Sequence, residues 1–254
     1  MRFTAISTAL FLFSPLSLMG EPTPATPESA ETKEQGEQKE DKPEIKKIGE
    51  NLFQIGKVLV NSKTKEITIP CTVNAYNDHP IEYILVNQEG KSHEAVFLTA
   101  ARPLNVNIAF KLTKYLESKE LFRKLDKDYN LMPGYEDATP EQRLKSKFTA
   151  TVKWTVKGEK KSMPLYKTII NAETKKHLEN IPWVYGGSYI LRGKFKADLN
   201  KDLIALLTDR AAIANYAGKG REDGLPWLVN KAELPAEGLK VNLVLTPHRE
   251  APKK

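Results

Sequence analysis

Apolar and polar residues alternate most cleanly between Phe148 and Lys157, where Phe148, Ala150, Val152, Trp154 and Val156 interleave with Thr149, Thr151, Lys153, Thr155 and Lys157. Successive side chains of a strand point to opposite faces, so this run predicts a strand with one buried and one wet face. Gly158-Glu159-Lys160-Lys161 is the predicted turn that reverses it. Upstream, Ile55, Val58 and Val60 lead into Asn61-Ser62-Lys63-Thr64, and Glu66-Ile67-Thr68-Ile69 returns, which predicts a β-hairpin. Pro70 has no N–H to give to a ladder, so the return strand is expected to bend there or run along an edge. Ile81–Val86 and Lys91–Leu98, joined by Asn87-Gln88-Glu89-Gly90, predict a second antiparallel pair. Leu165–Ile170, Trp183–Leu191, Leu203–Leu207 and Val241–Leu245 read as further strands.

Helical spacing is rarer. Pro103 suits a first helical turn, and Leu104, Ile108, Leu112, Tyr115 and Leu116 predict a helix over 103–116 with one face on the sheet. A shorter helix from Ser118 would bury Leu121, Phe122 and Leu125, and another is expected at Ala211–Tyr216. Asp126–Pro140 is turn-rich, and Thr139-Pro140-Glu141-Gln142 carries a capping signature for a short helix. The fold class these elements predict is α+β: a mainly antiparallel sheet with a helix packed on one face over 51–135, followed by a β-rich C-terminal half over 136–254, packed together as one unit.

The ends change the picture. Arg2, an apolar run from Phe3 to Met19 and Gly20 before Glu21-Pro22 match a secretory signal peptide over 1–20, so the chain is expected outside the cytoplasm, periplasmic or secreted. Pro15 and the short apolar length argue against a retained membrane anchor after cleavage. Residues 21–50 hold nine acids, five lysines and few large apolar side chains, the composition of a disordered acidic linker. With Arg2 included, residues 1–50 carry nine acids against six bases, so residues 51–254 hold a formal charge of +10 where the whole chain has +7. An exported basic domain meets anionic lipid or an acidic wall polymer rather than nucleic acid. The lysines are dispersed, which is also how a solvated surface looks. Cys71 is the single cysteine, which excludes an intramolecular disulfide or a paired-thiolate zinc site.

Candidate chemistry gathers around Gly90–Pro103. His93 could move a proton with Glu82 or Glu94 orienting it, although strand alternation would set His93 and Glu94 on opposite faces. A metal reading joins His93, Glu82 and Glu94, with His79 as a further ligand, but HExxH spacing is absent. Lys91 and Arg102 are candidate ligand-binding residues. Arg102 stands before the predicted helix start, where amides and a guanidinium together suit an anion. Trp183 beside Tyr185 and Tyr189 would form a sugar-stacking strip if exposed, and core if not. No Walker-type loop or fixed-period repeat is present, and no cofactor is predicted.

Val58-Leu59-Val60, Ile67–Val73, Ile81-Glu82-Tyr83, Gly90-Lys91-Ser92-His93-Glu94 and the helix after Pro103 together resemble the YdjY domain family of bacterial extracytoplasmic proteins. Trp183–Ser188 and the stretch from Asp198 to Asn230 resemble the C-terminal extension of longer members. The resemblance implies an extracytoplasmic location and no particular reaction. Some relatives accompany iron–sulfur modules, but one cysteine cannot hold such a cluster, so the association implies a partner at most. The expectation is an exported, non-catalytic module that binds a partner protein or an anionic envelope component. The competing expectation is an extracytoplasmic hydrolase or metal-dependent enzyme centred on Glu82, His93 and Glu94.

Overall fold

The computed structural model describes residues 43–74, 79–222 and 226–249. The predicted signal peptide and residues 21–42 of the predicted linker lie outside the described residues. In chain order the first half holds β1 (Ile45–Lys47), β2 (Leu52–Ile55), β3 (Val58–Asn61), β4 (Glu66–Val73), β5 (Tyr83–Asn87), β6 (Ala95–Thr99), α1 (Pro103–Leu112), β7 (Arg123–Leu125) and β8 (Leu131–Tyr135). Then follow α2 (Pro140–Lys145), β9 (Lys147–Val156), β10 (Glu159–Pro164), β11 (Ile169–Asn171), β12 (Trp183–Tyr185), β13 (Ile190–Leu191), β14 (Lys194–Phe195), α3 (Lys196–Asn200), β15 (Asp202–Ala205), β16 (Ala214–Asn215), β17 (Trp227–Val229) and β18 (Lys240–Pro247).

The expected α+β arrangement is corrected: the described residues are mostly β, 40% strand against 14% helix, and their core is a closed eight-strand barrel with extra strands. The barrel order is β4-β18-β9-β12-β16-β15-β5-β6, and pairing of Thr72 with Leu98 and Val73 with Phe97 joins β6 back to β4. Strands from both sides of residue 135 enter this one ring. Alternation identifies a buried face but not what covers it. Here the inner faces cover one another, so Ile69, Val73, Val152, Leu243 and Leu245 meet in a shared core. β1, β2 and β3 extend the sheet from the first residues of β4, and β10 pairs with β9. Lys157 and Gly158, both at positive φ (51° and 83°), make the tight turn that matches the twist of the β9–β10 hairpin.

Helix α1 forms where the sequence predicts it but does not cover a sheet face. It touches β3, β4 and β15, and its Phe110 stacks on Tyr185 of β12 with ring centroids 4.3 Å apart. Contacts with strands on opposite sides of the ring place it across one end of the barrel. It stops at Leu112 rather than 116, because Lys114 turns left-handed (φ 62°) and Tyr115 folds back edge-on against Phe110. The helix predicted from Ser118 is absent: Leu121 and Phe122 are buried by a turn, and Leu125 is exposed on β7. Ala211–Tyr216 supplies strand β16 instead of a helix. The capping box at Thr139 and Gln142 does form and starts α2.

Two further expectations change. β5 and β6 pair in parallel, Tyr83 opposite Ala95 and Leu85 opposite Phe97, so the connection 88–94 runs back over the barrel instead of making a hairpin. Pro70 sits mid-strand in the barrel rather than at an edge. β4 is paired by β3 up to Thr68 and by β6 from Thr72, so Pro70 falls where its neighbour changes and its missing N–H costs no ladder bond. Its carbonyl accepts from Thr99 Oγ1 at 2.7 Å.

Candidate functional site

A partly buried set of interacting ionisable groups lies outside the barrel wall, where the returning connection 88–94 crosses β5 and β15. Register shifts in β15 let Leu203 and Ile204 both enter the main core, leaving Asp202 and Ala205 on the outer side with Tyr83 and Val86. Lys91 reaches down from the crossing. Its Nζ donates to Tyr83 Oη, lies 4.4 Å from that ring's centroid and is 3.3 Å from Asp202 Oδ2. Tyr83 Oη in turn donates to Asp209 Oδ2 at 3.0 Å. Asp209 is held by its backbone N–H, which donates to Asn215 Oδ1 at 2.7 Å, while its Oδ1 accepts from Ala211 N at 2.7 Å.

Asp202 is fully enclosed, with 0% of its side chain exposed. Burial pushes its carboxyl up to about 6, the adjacent Asp209 adds to the rise, and Lys91 opposes it. Its Oδ1 has no hydrogen-bond partner among the described residues, so ionisation there is poorly compensated. Burial first, then Asp209, drives Tyr83 well above the ordinary phenol range and keeps it a donor. Lys91, with 38% of its side chain exposed, and the half-buried Asp209 open this cluster to solvent. The arrangement therefore works as a latch that ties the crossing, β5 and the loop after β15 together.

The predicted residues scatter around this latch. Lys91 is part of it. Glu82 and Glu94 are brought side by side through the backbone, Glu82 N donating to Glu94 O at 3.0 Å; Glu82 is exposed and Glu94 half-buried. His93 is exposed and lies in the 3-10 turn Ser92–Glu94, so the opposite-face argument for His93 and Glu94 does not apply. Asn74 pins that turn, its Nδ2 donating to Ser92 O and, at 2.9 Å, to Ala95 O. His79 is exposed. Among the described residues no three His, Cys, Asp or Glu side chains are grouped to hold a metal ion. Arg102 Nε donates to Asp198 Oδ2 at 2.5 Å, and Asp198 Oδ1 accepts from Leu104 N at 2.8 Å. The anion at the start of α1 is thus the chain's own carboxylate. Trp183 and Tyr185 are buried in the core, which removes the sugar-stacking strip.

The sequence reasoning missed Tyr83, Asp202 and Asp209. An acid heading the apolar run Leu203–Leu207 was the available signal, because a strand buried on both faces must enclose it.

A second surface is built by the barrel itself. The outward residues of β4, β9 and β18 include Thr68, Thr72, Thr149, Thr151, Thr155 and Thr246, with Lys147, Lys153 and Lys240 among them and Glu66 as the sole acid. Register aligns Lys153 with Asn242 and Ser162, and Thr155 with Lys160 of β10. Thr149 and Thr246 are hydrogen-bonded through their hydroxyls at 2.9 Å. No ion pair is formed by Lys147, Lys153, Lys160 or Lys240 among the described residues.

The family model for the YdjY domain matches residues 58–246, and the chain belongs to that family. The match runs from β3 into β18 and so takes in all eight barrel strands. No curated protein and no solved structure matches the chain.

Proposed function

We propose that the chain is an exported, non-catalytic binding module whose lysine and threonine sheet face takes an anionic envelope polymer. The observation that carries this is the set Lys147, Lys153, Lys160 and Lys240, which form no ion pair among the described residues, on a face of short hydroxyl side chains. Ammonium groups without internal counter-charges attract a polyanion over a Debye length and keep their hydration until it arrives. Threonine hydroxyls between them offer hydrogen bonds to phosphate or carboxylate oxygens without blocking approach. The export signal read from residues 1–20 supports an envelope setting.

Titration of the full chain with a polyglycerol-phosphate polymer tests the reading. The variant carrying Lys153→Gln, Lys160→Gln and Lys240→Gln should bind roughly tenfold more weakly, with the difference shrinking at high salt. Equal binding by variant and unaltered chain refutes it. Turnover in a hydrolase screen, abolished by His93→Ala with the fold intact, would instead restore the enzyme reading.

A further inference from the structure

We infer that two apolar hairpin tips, Tyr129–Leu131 and Ile190–Leu191, form a docking surface for an anionic lipid bilayer. Tyr129 is 80% exposed, Leu131 71% and Ile190 70%, with Met132 and Leu191 also exposed beside them. The β7–β8 ribbon has no core of its own, and all five residues of β8 are exposed. A two-stranded ribbon in water gains little from such side chains, so the fold does not account for them. Tyr129 also holds a left-handed backbone (φ 63°) at the tip, a strained choice for a bulky residue where Gly or Asn would serve the turn.

The roots of both hairpins are firm and neighbouring. Arg210 donates to Arg123 O and pairs with Glu136 at the base of the ribbon. The Tyr135 ring lies between the Arg123 and Arg221 guanidiniums, at 5.6 and 5.4 Å, and its hydroxyl donates to Glu222 at 2.8 Å. One residue further on, Ala211 O accepts from Ser188 Oγ at 2.6 Å, which anchors the chain entering the β13–β14 hairpin. Lys119 Nζ donates to Gly186 O and, at 2.9 Å, to Ser188 O, linking that entry to the segment before the ribbon.

Charge selects the occupant. Tyr189–Lys196 holds Arg192, Lys194 and Lys196 and no acid, so its apolar pair is flanked by cations. In the ribbon Lys124 is paired with Asp137 at 3.0 Å and Asp126 is taken up by the turn, accepting from Asp128 N and Asn130 N, so the cationic edge is supplied chiefly by Arg192, Lys194 and Lys196 of the other hairpin. Aromatic and aliphatic tips edged by lysine and arginine fit the boundary between acyl chains and anionic headgroups. Pro133 and Gly134 within β8 disfavour strand addition from another chain.

Co-sedimentation of the full chain with vesicles of phosphatidylglycerol and phosphatidylethanolamine tests this. The comparison is with the variant Tyr129→Asn, Leu131→Ser, Ile190→Ser, Leu191→Ser, which keeps the same N-terminal residues so that their contribution cancels. All four sites are exposed, and matching thermal unfolding would confirm an intact fold. Partitioning should fall roughly tenfold in the variant, and the unaltered chain should bind phosphatidylcholine vesicles roughly tenfold less well. The lysine-face variant described above should bind these vesicles as the unaltered chain does, which separates this inference from the polymer reading. Equal partitioning of the tip variant, or indifference to phosphatidylglycerol, overturns it. So does a change in oligomeric state without a change in vesicle binding, which would make the tips a contact between copies.

Discussion

Replacing Asp202 by Asn should stabilise the protein, and only above a certain pH. The folded chain keeps the Asp202 proton up to about pH 6, because burial and Asp209 disfavour the carboxylate more than Lys91 favours it. The unfolded chain releases that proton near the ordinary carboxyl value of about 4. Between these values the native state binds more protons than the unfolded state, so the free energy of unfolding falls as pH rises. The stabilisation from the protonated carboxyl is complete below about pH 4 and lost above about pH 6. A shift of about two units corresponds to roughly 3 kcal/mol, since each unit is about 1.4 kcal/mol. Asn presents an uncharged oxygen to Lys91 and N–H groups to Asp209, reproducing the protonated form without the cost of ionisation. At roughly 2–4 °C per kcal/mol for a domain of this size, the variant should unfold roughly 6–12 °C higher at pH 8. Thermal unfolding followed by circular dichroism at pH 8 and pH 4 checks this, with the difference near zero at the lower pH. A variant less stable than the unaltered chain at pH 8, or a difference that does not change with pH, refutes the reasoning.

Other substitutions probe the same architecture. A Cβ added at Gly90 would sit 2.7 Å from Lys201 Cβ and 3.1 Å from the Asn87 carbonyl, so Gly90→Ala should cost about 1–3 kcal/mol in urea unfolding and hasten hydrogen exchange across 88–94. Asp198→Ala removes both the partner of Arg102 Nε and the acceptor for Leu104 N, and should cost about 2 kcal/mol by the same measurement. Asp198→Asn, which keeps an acceptor oxygen, should recover about half of that loss.

Local pattern and global closure were unequally legible. The β9 strand and the Thr139–Gln142 capping box depend on residues close in sequence and form where the pattern places them, while the reversal expected over 158–161 is made by Lys157 and Gly158, with Glu159–Lys161 already in β10. Closure of the barrel depends on β18 entering between β4 and β9, and nothing in Val241–Leu245 names its neighbours. The parallel β5–β6 pair was hidden for a related reason: Asn87–Gly90 resembles a hairpin turn, while the return path is set by Asn74, which holds Ser92 O and Ala95 O, and by Asp202, which takes Lys91 from the connection. Lys91 was recognisable as a candidate, but its partner Asp202, and Asp209, the partner of Tyr83, lie more than 100 residues downstream and join the cluster only after the barrel forms. The lysine face was hidden in the same way. Lysines dispersed along the chain become neighbours when register sets Lys153 beside Asn242 and Lys240 beside Thr72.

The position of β18 also constrains when the molecule can exist. Strands β4 and β9 do not pair with each other; residues 240–247 are the wedge that joins them. A growing or threading chain therefore has no closed ring to fall into until residues 240–247 are available, and a product ending before Lys240 would present two bare strand edges. High sequence separation of this kind slows the commitment step and keeps the polypeptide pliable while it is incomplete. Assembly is thereby timed by the arrival of one eight-residue segment.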